Sequence, residues 1–183
     1  CPDAGEIGTA IAYDPDRNAL HVAYTRYQGL STGIMATTST DFGASWSKPV
    51  LLTPVDVQPD SFPAIAARGG TGIVVYEHGT GGSSRDIGFA YSPDSGRRWK
   101  AGGRLASSAA LESTPDVRVS DEQGSPRFFA SYVEENDRIR VLSSEGSAPG
   151  SWTTERTFLD KGGTASLGSA IVLPMPGPDG GGS

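Results

Sequence analysis

The chain of 183 residues has one cysteine, two histidines and two methionines, and only 8% of its residues are aromatic. A lone thiol closes no internal disulfide and builds no cysteine-based zinc site. Positive charge is also scarce, with 15 Lys and Arg against 21 Asp and Glu and a formal charge of −6. A nucleic-acid binder carries the opposite balance. No run of 18 apolar residues occurs, which excludes a membrane-spanning helix, and no charged segment leading into an apolar one opens the chain. Helical periodicity is missing too. What is abundant is turn chemistry: 25 Gly and 13 Pro, short of the proportion typical of low-complexity chains. The length fits one domain with a real core, made of many short strands.

A repeat organises these strands. The three tryptophans, Trp46, Trp99 and Trp152, stand at equal intervals of 53 residues. Ser39-Thr40-Asp41-Phe42-Gly43-Ala44-Ser45-Trp46 and Ser92-Pro93-Asp94-Ser95-Gly96-Arg97-Arg98-Trp99 both read S-x-D-x-G-x-x-W. The third copy keeps Trp152 and a nearby glycine but has Ser147 in place of the aspartate. Four short apolar or alternating runs accompany each copy. First strands are predicted at 8–14, 62–68 and 114–120, second strands at 19–27, 72–78 and 127–134, and third strands at 33–39, 86–92 and 138–144. Fourth strands begin near the tryptophans. Tyr24, Tyr76 and Tyr132 recur at matching places.

Four antiparallel strands per period predict an all-β fold, a β-propeller with three blades and one extra strand. The blades span about 8–60, 61–112 and 113–163, after a lead at 1–7. The extra strand lies at 165–175, and the Gly- and Pro-rich 176–183 reads as a linker or tail. Three blades leave sheet faces to be covered. A second copy, a protein partner or further blades are the predicted means of closure.

The repeated motif resembles the Asp-box, or bacterial neuraminidase repeat, of sialidases and other propellers. The resemblance covers most of the chain and implies a partial six-bladed, sialidase-like propeller in which the motif serves the fold. Ser39, Asp41, Gly43 and Trp46, Ser92, Asp94, Gly96 and Trp99, and Trp152 are then structural: the carboxylate accepts turn amides, glycine takes a positive φ and tryptophan packs between layers. A sialidase would also need three arginines on the substrate carboxylate, an Asp acid and a Tyr nucleophile with a Glu partner. The positions matching the first arginine are Ser61, Ser113 and Glu6, so no blade supplies the clamp. The loop expected to hold the acid, residues 27–32, has no carboxylate.

Arg26, Tyr27, Glu77, His78, Arg85 and Asp86 fall at or just after second strands, at the end where propellers gather ligand-binding loops; Glu134, Glu135 and Asp137 lie there too. Glu77 and His78 are adjacent in a strand and point to opposite faces, so they form no acid/base dyad. Asp14-x-Asp16-x-Asn18 opens like a calcium loop, but Ala19 and Thr25 replace its glycine and bidentate glutamate, which favours a hairpin turn. Asp56, Asp60 and Asp116 are weaker cation candidates. A zinc site from His21 and His78 lacks evident further ligands. No catalytic residue, metal or cofactor is predicted. Cys1 at the first position is compatible with the acylated cysteine of a mature lipoprotein. The sequence reads as a noncatalytic, extracytoplasmic binding or assembly module for glycans or a cell-surface partner. Its alternatives are a fragment of a sialidase-like glycoside hydrolase and a structural subunit joined through blade edges.

Overall fold

The computed structural model describes residues 8–28, 31–53, 59–81, 84–120, 126–135, 138–145 and 151–159. These form twelve strands in three four-stranded antiparallel sheets, with no helix among the described residues. The first sheet is β1 (Thr9–Asp14), β2 (Ala19–Gln28), β3 (Ser31–Ser39) and β4 (Val50–Leu51). The second is β5 (Asp60–Arg68), β6 (Thr71–Gly81), β7 (Ser84–Ser92) and β8 (Lys100–Ala106). The third is β9 (Glu112–Val119), β10 (Arg127–Glu134), β11 (Arg138–Glu145) and β12 (Thr153–Leu159). Each is a meander in chain order, and together they make a partial β-propeller. The expected extra strand at 165–175, the segments 1–7 and 176–183, and Cys1 lie outside the described residues.

Alternation along the strands decides which side chains meet between blades. Ala23 and Ile34 of the first sheet pack with Ile65, Val74 and Tyr76 of the second, with Ala10 and Ala12 beside them. One residue out of phase, Ile73, Val75 and Phe89 face Val117, Phe128 and Ala130 of the third sheet. Ile87 and Ala106 meet Tyr132 and Leu142 farther along that boundary. Between the first two sheets, Ala10, Ala12 and Ala23 meet the larger Ile65, Val74 and Tyr76, which allows close packing there.

The tryptophans behave unequally. Trp99 joins the cluster between the first two sheets, and Trp152 packs edge-on against Phe89 with ring centroids 5.8 Å apart. Trp46 instead is 43% exposed, and its indole donates to the Gly43 carbonyl at 3.1 Å within its own turn. Ile11 and Tyr13, on the face of β1 turned away from Ala10 and Ala12, are exposed as well. That face has no preceding sheet among the described residues. The fourth strand of the first sheet also starts later than predicted, at Val50 rather than near Trp46, because Ser47 stays tied to Thr37 and Thr38.

The two well-matched turns have the same internal bonding. In the first, Ser39 Oγ accepts the Gly43 amide at 2.8 Å and donates to Asp41, whose carboxylate takes the Ser45 amide at 2.8 Å. In the second, Ser92 takes the Gly96 amide at 2.9 Å and Asp94 the Arg98 amide at 2.8 Å. Gly43 and Gly96 have φ of 89° and 79°, where a side chain is strained. Hydrogen bonds to Ser45 and Ser39 hold the Asp41 carboxyl down at about 2.

Candidate ligand-binding groove

The starts of the inner strands β1, β5 and β9 converge on a groove of about 750 Å³. Its walls depend on a repeated irregularity. Phe62 and Thr114 each precede a proline and each has φ of 50°, and β5 and β9 are bulged at these places. Neither conformation is a local preference, since a residue before proline favours extended backbone. The bulges break the ladder and redirect Phe62, Pro63, Thr114 and Pro115 to the groove lining. Gly8 lines it opposite, where a Cβ would stand 3.0 Å from both Phe62 Cα and Pro63 Cδ.

The polar lining comes from Glu77, Arg85, Thr9, Ser113, Asp116 and Arg118. Glu77 lies in β6 in phase with Ile73 and Val75 and so projects toward the third sheet. Its carboxylate is buried, accepts from Arg85 Nη1 at 2.6 Å and takes the Thr114 amide at 2.9 Å. One side chain thus fixes an arginine and the bulge of the neighbouring blade. Asp116 accepts its following amide, from Val117, and lies 3.1 Å from Arg118 Nη2. Burial pushes the Asp116 carboxyl upward, against the charge of Arg118. Both arginines expose over two fifths of their side chains, and Phe62 exposes 38% of its surface. The groove therefore offers an aromatic ring, two arginine heads and hydroxyls, with each arginine already paired to a carboxylate.

The predicted residues divide between this groove and its surroundings. Glu77 and Arg85 line it. His78 projects to the other face of β6, where Nδ1 lies 2.7 Å from buried Asp60. Asp86, opposite His78 in the ladder, is held by Arg104. Tyr76 lies near both pairs, and burial with the charge of Asp60 pushes its hydroxyl up to about 12. Arg26 and Tyr27 are exposed at the end of β2 and do not line the groove. Glu134 binds Arg140 at 2.7 Å and Glu135 binds Arg138 at 3.2 Å, while Asp137 lies outside the described residues. Phe62, Thr114 and Arg118 carry no motif of their own in the sequence. Their only sequence signal is the recurrence of a proline, Pro63 and Pro115, at the same place in two blades.

Buried Glu112 is cross-strand from Glu134, and its carboxyl is pushed upward by burial and by the charges of Asp86 and Glu134. Hydrogen bonds from the Ser108 amide and hydroxyl oppose that shift. The calcium-like spacing at Asp14 serves another purpose. Asp14 takes the amides of Gly69 at 3.2 Å and Gly70 at 2.7 Å, and Asp16 pairs with Arg68 at 2.7 Å. These carboxylates latch the β1–β2 turn to the β5–β6 turn. No group of three or more metal-ligating side chains occurs among the described residues, where His21 and His78 face different partners, Thr38 and Asp60. Asp56 lies outside the described residues.

No family model matches the chain, and no curated protein matches it. Solved structures do. A Trypanosoma rangeli sialidase in complex with the inhibitor DANA superposes with a TM-score of 0.50 at 18% identity, covering 80% of this chain and 27% of the sialidase. A GH62 hydrolase in complex with xylotriose has a TM-score of 0.49 at 13% identity, covering 86% and 52%. The chain thus spans about a quarter of the first and half of the second. The sialidase likeness, at this identity, is one of fold, and it makes the chain similar to part of a sialidase-type β-propeller.

Proposed function

We propose that the chain is a noncatalytic, extracytoplasmic propeller segment that binds neutral carbohydrate in the groove between β1, β5 and β9. The observation that carries this reading is the groove lining: Phe62 offers a face for the C–H surface of a pyranose, while Arg85, Arg118, Thr9 and Ser113 offer hydroxyl partners. Pairing of Arg85 with Glu77 and of Arg118 with Asp116 balances the charge, which favours a neutral sugar over an acidic one. Glu77 is committed to an arginine and an amide rather than poised for proton transfer. The Ser39–Trp46 and Ser92–Trp99 turns are read as Asp-boxes with a structural task. Exposed Ile11 and Tyr13 mark the face of β1 that a second copy or a protein partner would cover. Lipid attachment through Cys1 belongs to the same proposal.

The test is a titration of the isotope-labelled chain with cellotetraose, xylotetraose, arabinotetraose and chitotetraose, followed by amide shifts. The reading predicts saturable shifts at Thr9, Ser113 and Thr114 with at least one sugar, and their loss in Phe62→Ala. A flat response to all four sugars overturns it, as do shifts that survive the substitution. Release of fluorophore from a fluorogenic sialoside would overturn the noncatalytic part.

A further inference from the structure

At the opposite end of the strands from the groove, a second depression of about 400 Å³ lies between three turns. The β1–β2 turn supplies Arg17, the β3–β4 turn supplies Thr40 and Trp46, and the β7–β8 turn supplies Ser95 and Arg97. Neither Arg17 nor Arg97 has an ion-pair partner among the described residues, although the chain carries a net charge of −6. Nearby carboxylates are occupied elsewhere: Asp14 by the Gly69 and Gly70 amides, Asp16 by Arg68, Asp94 by Arg98, and Asp41 by Ser39 and Ser45. The hydroxyls of Thr40 and Ser95 likewise make no hydrogen bond among the described residues.

The turns are held before any ligand arrives. Asp14 latches the first turn to Gly70, and the Ser95 amide donates to the Gly70 carbonyl at 2.7 Å. Arg17 packs on this junction, with its Nε 3.2 Å from where a Gly70 Cβ would stand. The bond from Trp46 to Gly43 fixes the half-exposed indole. Fixed elements lower the ordering cost of binding. Two unpaired guanidinium groups suit an oxyanion, and an adjacent indole face suits a sugar ring.

We propose that this rim depression is a second binding site, for an anionic sugar residue whose sulfate or carboxylate lies between Arg17 and Arg97 and whose ring packs on Trp46. It is independent of the neutral-sugar groove. Sulfated and uronic saccharides share the required chemistry, and two probes separate them.

The full chain is titrated with a heparin-derived tetrasaccharide, with trigalacturonate, with inorganic sulfate and with cellotetraose, and the Trp46 indole N–H resonance is followed. At least one charged saccharide should shift this resonance and the Arg97 amide, with affinity falling as salt is raised. Binding by trigalacturonate assigns the carboxylate; binding by the heparin fragment alone assigns the sulfate. Arg17→Gln/Arg97→Gln should weaken that affinity about tenfold or more, without altering Tm or the groove titration. Because Arg17 packs on Gly70, Arg97→Gln alone provides a second variant and should also weaken binding. The site is refuted if neither charged saccharide moves Trp46, if affinity survives both variants, or if cellotetraose or inorganic sulfate binds as tightly as the charged saccharides.

Discussion

Asp14 carries its buried carboxylate from the first blade to the Gly70 amide of the second, at 2.7 Å, across 56 positions of sequence. The same carboxylate takes the Gly69 and Asp16 amides. Substitution by alanine leaves the buried Gly70 amide unpaired, at a cost of about 2 kcal/mol, while the exposed Gly69 amide keeps Asp16 as its acceptor. Asp14→Asn keeps one acceptor oxygen and should lose less. Urea unfolding of both variants checks the order; equal stabilities would show that the latch holds nothing.

The two turn glycines make a matched comparison. Gly43 and Gly96 share a positive φ, so alanine at either place carries about 1 kcal/mol of backbone strain. Their surroundings differ. A Cβ at Gly43 has its nearest neighbour at 3.7 Å, whereas one at Gly96 would stand 2.1 Å from Thr38 Oγ1 and 2.9 Å from His21 Nδ1. Gly96→Ala should therefore cost about 3 kcal/mol, well beyond Gly43→Ala. Thermal unfolding of the pair separates conformational strain from crowding at the blade boundary.

The strands were legible because alternation and the 53-residue interval are local or periodic signals, and each sheet is a meander that places sequence neighbours side by side. Asp41 and Asp94 were legible for the same reason, since their bonds stay within one turn. The groove was not. Glu77 could be placed on a strand end, but its bond to the Thr114 amide depends on which blade its face meets. Phe62 and Thr114 adopt φ values that their own types and the following prolines disfavour, so no propensity points to them. Asp14 and Asp16 show the converse, because their spacing imitates a cation loop while their acceptors are used by amides of the next blade.

Glu77 should tie groove and stability together. Glu77→Ala removes an acceptor from the half-buried Thr114 N–H and a partner from Arg85, at about 2 kcal/mol, with the exposed arginine contributing the smaller part. Glu77→Gln can still accept from Thr114 and should cost about 1 kcal/mol. Denaturant unfolding gives the two values, and amide exchange at Thr114 reports whether the bulge has opened. Fast exchange in the alanine variant alone is the expected result.

His21 supplies a pH dependence whose sign follows from its burial. Its side chain is enclosed, Nδ1 lies 3.0 Å from Thr38 Oγ1, and Nε2 has no hydrogen-bond partner among the described residues. Burial lowers its affinity for a proton below the ordinary 6.5, although the charge of Asp14 acts in the other direction. The unfolded chain therefore binds a proton at higher pH than the folded one does. Stability from neutral His21 is fully present above 6.5 and is lost as pH falls from there through the folded value. In His21→Gln this contribution is absent, and other titrating groups are common to both proteins. The stability difference between them should be constant above about pH 7.5, a unit above the unfolded value, and should shift against the native chain as pH falls toward 5. Unfolding free energies from urea titrations across that range measure it, and a difference that stays flat would place a proton on His21 as readily in the fold as out of it.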